Sequence, residues 1–253
     1  MPISLSWECV QSPSPFLEIV EMMFGKSLHI LCFGDSLSAG FTLTGPELHP
    51  YEVAMKSTLQ KAFPTYEITT DVQGVAGDQV VTPPGGFLTR MDMLYERLDQ
   101  SNPYTHAVIL GGTNDLAVEH PVTLIWKALK DVYQIPLSHN TTVLALTIPE
   151  CPACFNVKPQ KRDRINEAML ARQAHDFLIP FQSLPEKRRN ELWDDGVHFT
   201  HEGYDLMGNL IGERLVEIIT AQLNESATGE EDEGEEEEEE EGEAVLEEVR
   251  ELR

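Results

Sequence analysis

A few short segments of this 253-residue chain hold side chains whose types suit acyl transfer. That chemistry needs a nucleophile, a base to take its proton, a group that orients the base, and donors for the oxyanion. Ser36, in Gly34-Asp35-Ser36-Leu37, is the candidate nucleophile, and its own backbone N–H is a candidate oxyanion donor. Asp195 and His198 stand three residues apart. In a single turn that spacing brings both side chains to one side, where the carboxylate can hold Nδ1–H and leave Nε2 facing the serine. Gly77, which has no Cβ to block close approach of its N–H, and the uncharged amide of Asn114 are the other candidate oxyanion donors. Each of these residues has an ordinary structural explanation when taken alone: a helix cap, a turn, a loop cap, a surface pair. Their joint occurrence in the chain order Ser, Asp, His is what points to a triad.

The elements that must position them follow from apolar periodicity. The apolar run 28–33 reads as a strand that delivers Ser36 to the start of a helix. Beyond it the pattern predicts helices over 51–63, 87–98, 121–135, 163–175 and 202–223, and strands over 66–72, 105–110, 142–148 and 176–180. Strand and helix alternate about five times, the pattern of a parallel sheet with helices on both faces. In such folds the ligand crevice lies beyond the carboxyl ends of the strands. Ser36, Gly77 and Asn114 each follow a strand, so they should share one rim, and the segment of Asp195 and His198 leads into the last helix. Residues 1–26 read as a lead-in with a possible short helix, 27–224 as the domain, and 225–253 as a low-complexity acidic tail expected to be disordered.

The formal net charge of -25 is concentrated in that tail, which holds 16 of the 43 acidic residues and only two of the 18 basic ones. The body is left with 27 acids and 16 bases, about -11, a surface that repels nucleic acid and anionic membrane. A basic protein partner for the tail is the alternative function of another class, with the domain inactive or incidental. No stretch of about 20 apolar residues is present to span a bilayer. No Lys or Arg precedes Lys26, and Pro13 and Pro15 interrupt any apolar leader, so a cytoplasmic location is expected. Four cysteines in a chain this long do not make a disulfide framework and fit a reducing compartment. Cys151 and Cys154 have redox or half-zinc spacing, but neither a thioredoxin-like context nor further ligands accompany them, and the scattered histidines form no ligand cluster. No metal is expected.

Gly34-Asp35-Ser36-Leu37 with Gly40, then Gly77, then Gly112-Thr113-Asn114-Asp115, then Asp195-Gly196-Val197-His198-Phe199 resemble the four blocks of the SGNH hydrolases, also called GDSL esterases or lipases. The blocks stand in the correct order over about residues 28–223. The resemblance implies a three-layer α/β/α sandwich with a five-stranded parallel sheet, hydrolysis of carboxylic esters through an acyl-serine, and no metal or organic cofactor. It also implies that Ser36, Gly77, Asn114 and His198 are the naming residues, with Asp195 the third triad member. The second block departs from the family pattern, carrying Val72 where an Asn is usual. Gly74 rivals Gly77 as the oxyanion glycine, and His201 rivals His198 as the base, although only His198 has an aspartate three residues before it. Within the enzymes, a carbohydrate O-deacetylase or a thioesterase is the alternative to a plain esterase. Phe41, Leu43, Leu48 and Tyr51, in the loop after the nucleophile, point to a substrate with an apolar group.

Overall fold

A computed structural model describes residues 26–43, 45, 47–153, 159–170 and 184–228. In chain order they form β1 (Ser27–Gly34), α1 (Ser36–Ala39), α2 (Glu52–Ala62), β2 (Glu67–Gly74), α3 (Phe87–Arg97), β3 (His106–Leu110), α4 (Thr113–Ala117), α5 (Val122–Ser138), β4 (Thr142–Ala145), α6 (Pro159–Leu170), α7 (Glu186–Leu192) and α8 (His201–Thr228). The strands are all parallel and lie in the order β2-β1-β3-β4. The chain winds from β1 to β2 on one side and returns past β1 to β3 and β4 on the other. The gap between the ends of β1 and β3 is therefore the topological switch point, where ligands bind in open α/β sheets.

Side-chain alternation along β1 separates the two helical layers. Leu28, Ile30 and Cys32 pack with Met55 and Leu59 of α2 and with Tyr204, Met207, Ile211, Leu215 and Ile219 of α8. Leu31 and Phe33 face the other way, onto Phe87 and Met91 of α3, Ile125 and Leu129 of α5, and Ile165 and Met169 of α6. Each face of the sheet is covered, so β1 and β3 read as continuous apolar runs rather than alternating ones. The architecture is the expected three-layer α/β/α sandwich.

The sheet has four strands among the described residues rather than five. The fifth candidate, 176–180, lies outside them, as do the lead-in 1–25, residues 171–175 of a predicted helix, and residues 229–253 of the acidic tail. The final helix continues to Thr228, past its expected end at residue 223, so the first residues assigned to the tail are helical. Helix α7 is unforeseen, because Glu186-Lys-Arg-Arg-Asn-Glu-Leu192 buries only Leu192 and shows no apolar periodicity. Its residues Lys187 and Arg188 pair with Glu191, and Arg188 also reaches Glu202 at the start of α8. Cys32 is a free, fully buried thiol whose pKa burial pushes up, in keeping with a packed core position. Cys151 is disulfide-bonded, which the reading of the four cysteines as fitting a reducing compartment did not foresee. No helix among the described residues is long and apolar enough to cross a membrane.

Candidate active site

Strand β1 ends at Gly34, and Asp35 caps the one-turn helix α1, its Oδ1 accepting the Leu37 N–H at 2.9 Å. Ser36 is thus the first helical residue and is largely buried. The helix stops after four residues, where Gly40 adopts a left-handed φ of 73°. A helix this short carries little macrodipole, so any help to negative charge at Ser36 comes from individual N–H groups.

The segment that carries His198 is a closed turn rather than a helical one. Asp194 N–H donates to His198 O (2.9 Å), Thr200 N–H to Leu192 O (2.9 Å), and Trp193 and Phe199 form an antiparallel bridge. Within the turn, Asp195 Oδ1 accepts N–H bonds from Val197 (2.8 Å) and His198 (2.7 Å), and Gly196 supplies a φ of 80°. Phe199 is fully buried, stacked on Trp193 at 4.3 Å and edge-on to Tyr204 of α8 at 5.5 Å. Burying one such ring is worth about 2–3 kcal/mol and, with the hydrogen bonds of the turn, anchors it against α8.

These two local structures meet across 162 residues. Ser36 Oγ lies 2.9 Å from His198 Nε2, and His198 Nδ1 lies 2.8 Å from Asp195 Oδ2. Because a carboxylate only accepts, Nδ1 carries the proton and donates it, which leaves the Nε2 lone pair for the Ser36 hydroxyl. Burial raises the Asp195 pKa, but the bonds from the His198 ring and from two backbone N–H groups outweigh it and hold the carboxyl below its ordinary value. The Phe41 ring covers the imidazole at 4.7 Å, and Tyr204 OH fixes the Phe41 carbonyl at 2.8 Å.

His201 is elsewhere. It is the first residue of α8, stacked at 4.3 Å on His49, which in turn contacts Asp205 at 2.8 Å. Gly74 is committed to packing: a Cβ there would stand 2.2 Å from Ala39 N. Gly77, at φ 76°, faces open space, with nothing within 4 Å of a built Cβ. Asn114 Nδ2 donates to Asp78 O (2.8 Å) and makes a longer contact to Asp35 Oδ2 (3.4 Å). Its amide therefore bridges the residue before Ser36 and the residue after Gly77. Tyr51, expected on the substrate loop, is instead fully buried in the core beneath α8, while Leu43 and Leu48 are 67% and 62% exposed.

Asp78 and Arg90 around this rim escaped the sequence reading, and Asp115, read there only as part of its block, has a structural role. Asp115 is buried and accepts the N–H groups of Val80 (3.0 Å) and Val81 (2.9 Å), tying the loop after Gly77 to α4. Asp78 and Arg90 are paired at 2.8 Å. The available signal for Arg90 was a cation set among the apolar stripe Phe87, Met91 and Tyr95 of α3. No group of three or more His, Cys, Asp or Glu is placed to hold a metal ion among the described residues.

The profile of the GDSL-like Lipase/Acylhydrolase family matches residues 32–206, from the strand before Ser36 into α8. The chain belongs to the GDSL-like lipase/acylhydrolase family. With that membership goes hydrolysis of ester bonds. A search of curated proteins found no match. Among solved structures the chain is similar to Est24, a carbohydrate acetylesterase from Sinorhizobium meliloti, with 19% identity and a TM-score of 0.56 over 76% of this chain and 99% of that one. It is similar also to a lipase/acylhydrolase from Enterococcus faecalis (20% identity, TM-score 0.55, 75% of this chain and 95% of that one). A third is the inhibitor-bound aryl esterase of M. smegmatis (18% identity, TM-score 0.53, 74% and 98%). At these identities the likeness is one of fold.

Proposed function

We propose that this family member is a serine esterase that works through an acyl-serine. Ser36 Oγ attacks the ester carbonyl while His198 Nε2 takes its proton, and the same proton then goes to the leaving alcohol. Water, deprotonated by His198, releases the acid and restores the serine. Asp195 keeps the imidazole in the required tautomer and stabilises the imidazolium. The oxyanion is held by the N–H groups of Ser36 and Gly77 and by the Asn114 amide. One Asn114 hydrogen stays on Asp78 O, and the other exchanges its long contact with Asp35 for the oxyanion. Removing one such donor costs about 100- to 1000-fold in rate.

The observation that carries this reading is the unbroken relay of 2.9 and 2.8 Å from Ser36 through His198 to Asp195. Its test is labelling by a fluorophosphonate probe together with turnover of p-nitrophenyl esters of graded acyl length. Wild type should label and turn over, and an equally folded Ser36→Ala should do neither. A wild type that neither labels nor hydrolyses any acyl length defeats it. The exposed Leu43, Leu48, Val75 and Val118, on segments that follow β1, β2 and β3, favour a substrate with an apolar acyl or alcohol group. A carbohydrate acetate, the substrate class in the name of Est24, makes the short-acyl end of that series the informative one.

A further inference from the structure

We infer that Arg90 is a positioning residue for the oxyanion hole, acting through backbone and through Asp78 without touching the substrate. The inference rests on the serine-esterase reading of the site. Arg90 is on α3, and each side of its guanidinium takes a different segment. Nη2–H donates to Gly34 O (2.8 Å), two residues before Ser36. Nη1–H donates to Gln73 O (2.9 Å), at the end of the strand that leads into Gly77. Nε–H donates to Asp78 Oδ2 (2.8 Å), the residue that follows Gly77.

Asp78 passes the constraint on. Its Oδ1 accepts the N–H groups of Gln79 (2.9 Å) and Gly86 (2.6 Å), which closes the loop, and its backbone carbonyl accepts Asn114 Nδ2 (2.8 Å). One cation thus ties together the segments that carry all three proposed donors: Ser36 N–H, Gly77 N–H and the Asn114 amide. The guanidinium plane is itself held over the rings of Phe33 (4.4 Å) and Phe87 (5.1 Å), and the Arg90 and Asp78 side chains are only 21% and 9% exposed.

Lysine cannot reproduce this arrangement, because an ammonium is a compact charge whereas the planar fork directs N–H bonds to fixed points. A buried ion pair is weak evidence of a stabilising role, since an apolar replacement is often neutral for stability. Geometry is where this one matters, because oxyanion donors act only within about 2.7–3.1 Å of the developing charge. A displacement of about 1 Å costs on the order of 100-fold in rate.

The test is kcat and KM for p-nitrophenyl acetate in wild type, Arg90→Lys and Arg90→Met, each normalised to the fraction of chains titrated by a fluorophosphonate. Arg90→Met should lose roughly 30- to 100-fold in kcat per titratable site, with KM within about three-fold, and Arg90→Lys should fall between it and wild type. A purely structural role would lower the titratable fraction and the thermal midpoint while leaving kcat per site unchanged. That result, in whichever variant folds, overturns the inference while the serine reading stands. A wild type that neither labels at Ser36 nor turns over esters removes that reading and this inference together.

Discussion

Asparagine in place of Asp195 should abolish turnover while leaving the fold intact, for a reason that lies in the turn itself. Asp195 Oδ1 accepts two backbone N–H bonds, at 2.8 and 2.7 Å, and Oδ2 accepts one bond from His198 Nδ1, at 2.8 Å. An asparagine has one oxygen for these two sides. Turned toward the backbone it keeps two bonds, each worth about 0.5–1.5 kcal/mol net; turned toward the imidazole it keeps one and sets its NH2 against two donors. The first orientation wins, and the amide then donates to Nδ1. His198 must carry its proton on Nε2, where it has no lone pair for the Ser36 hydroxyl. A triad locked in the wrong tautomer loses about 10⁴ in kcat, equivalent to roughly 5.5 kcal/mol of barrier. KM should stay within a few-fold, and the thermal midpoint within about 2 °C, because the turn keeps its two bonds. Asp195→Ala, which leaves both N–H groups without their acceptor, should lose activity and also about 1–3 kcal/mol of stability. The assay is kcat on p-nitrophenyl acetate at pH 7–8 with the thermal midpoint followed in parallel. Retention of more than about a tenth of wild-type kcat by Asp195→Asn would refute the tautomer argument. The carboxyl is held below its ordinary value, so its contribution to stability is complete above pH 3.8 and disappears as pH falls through the folded value. The Asn variant should lack that acid-side decline.

The two rival glycines separate cleanly by substitution. Gly74→Ala drives a Cβ to 2.2 Å from Ala39 N, against the helix that carries Ser36, and should cost expression or more than half of the activity. Gly77→Ala meets nothing and keeps its N–H, so circular dichroism melts should show only the left-handed strain of about 1–2 kcal/mol. Equal effects of the two substitutions would contradict this assignment. Asp35 makes a pH-dependent case: burial raises its carboxyl from 3.8 to about 7, the Leu37 N–H and Arg90 opposing and the charges of Asp115 and Asp78 adding. A raised acid holds its proton longer in the folded state, so stability falls as pH rises from 3.8 to about 7. Asp35→Asn keeps an acceptor for the cap and does not titrate. Urea melts should show it gaining on wild type by about 2–3 kcal/mol between pH 5 and pH 8, and a constant difference over that range would refute the buried-acid account.

The strands were legible because burial on both faces leaves β1 and β3 uninterrupted apolar runs. The register of alternation along β1 even divides the two helical layers, with Ile30 and Cys32 on one side and Leu31 and Phe33 on the other. Helix α7 was not legible, since it buries a single leucine and carries exposed ion pairs rather than an apolar stripe. Tyr51 was misread as a pocket residue because aromatics in a loop after a nucleophile and aromatics in a core look alike in one dimension. It immediately precedes α2 and is buried in the core with residues of α8. Arg90 and Asp78 escaped because their partners are mostly backbone carbonyls and N–H groups, which carry no residue type to read.

By itself the sequence determined the chemical inventory, its order along the strands, and the one piece of site geometry that is local. Asp195 and His198 meet within a turn that the Asp195 carboxylate closes by accepting the Val197 and His198 N–H groups, so a spacing of three is enough to specify it. The sequence ranked His198 over His201 and Gly77 over Gly74, but the tertiary structure decided that the His198 imidazole faces Ser36, that Gly77 borders open space, and what holds Asn114 between them. Those relations span tens to more than a hundred residues and depend on hydrogen bonds that weaken within a few tenths of an ångström. The packing of Phe199 against α8, the parallel register of β1 with β2 and β3, the Asp115 bonds to the loop after Gly77, and the three-way grip of Arg90 fix distances at that scale.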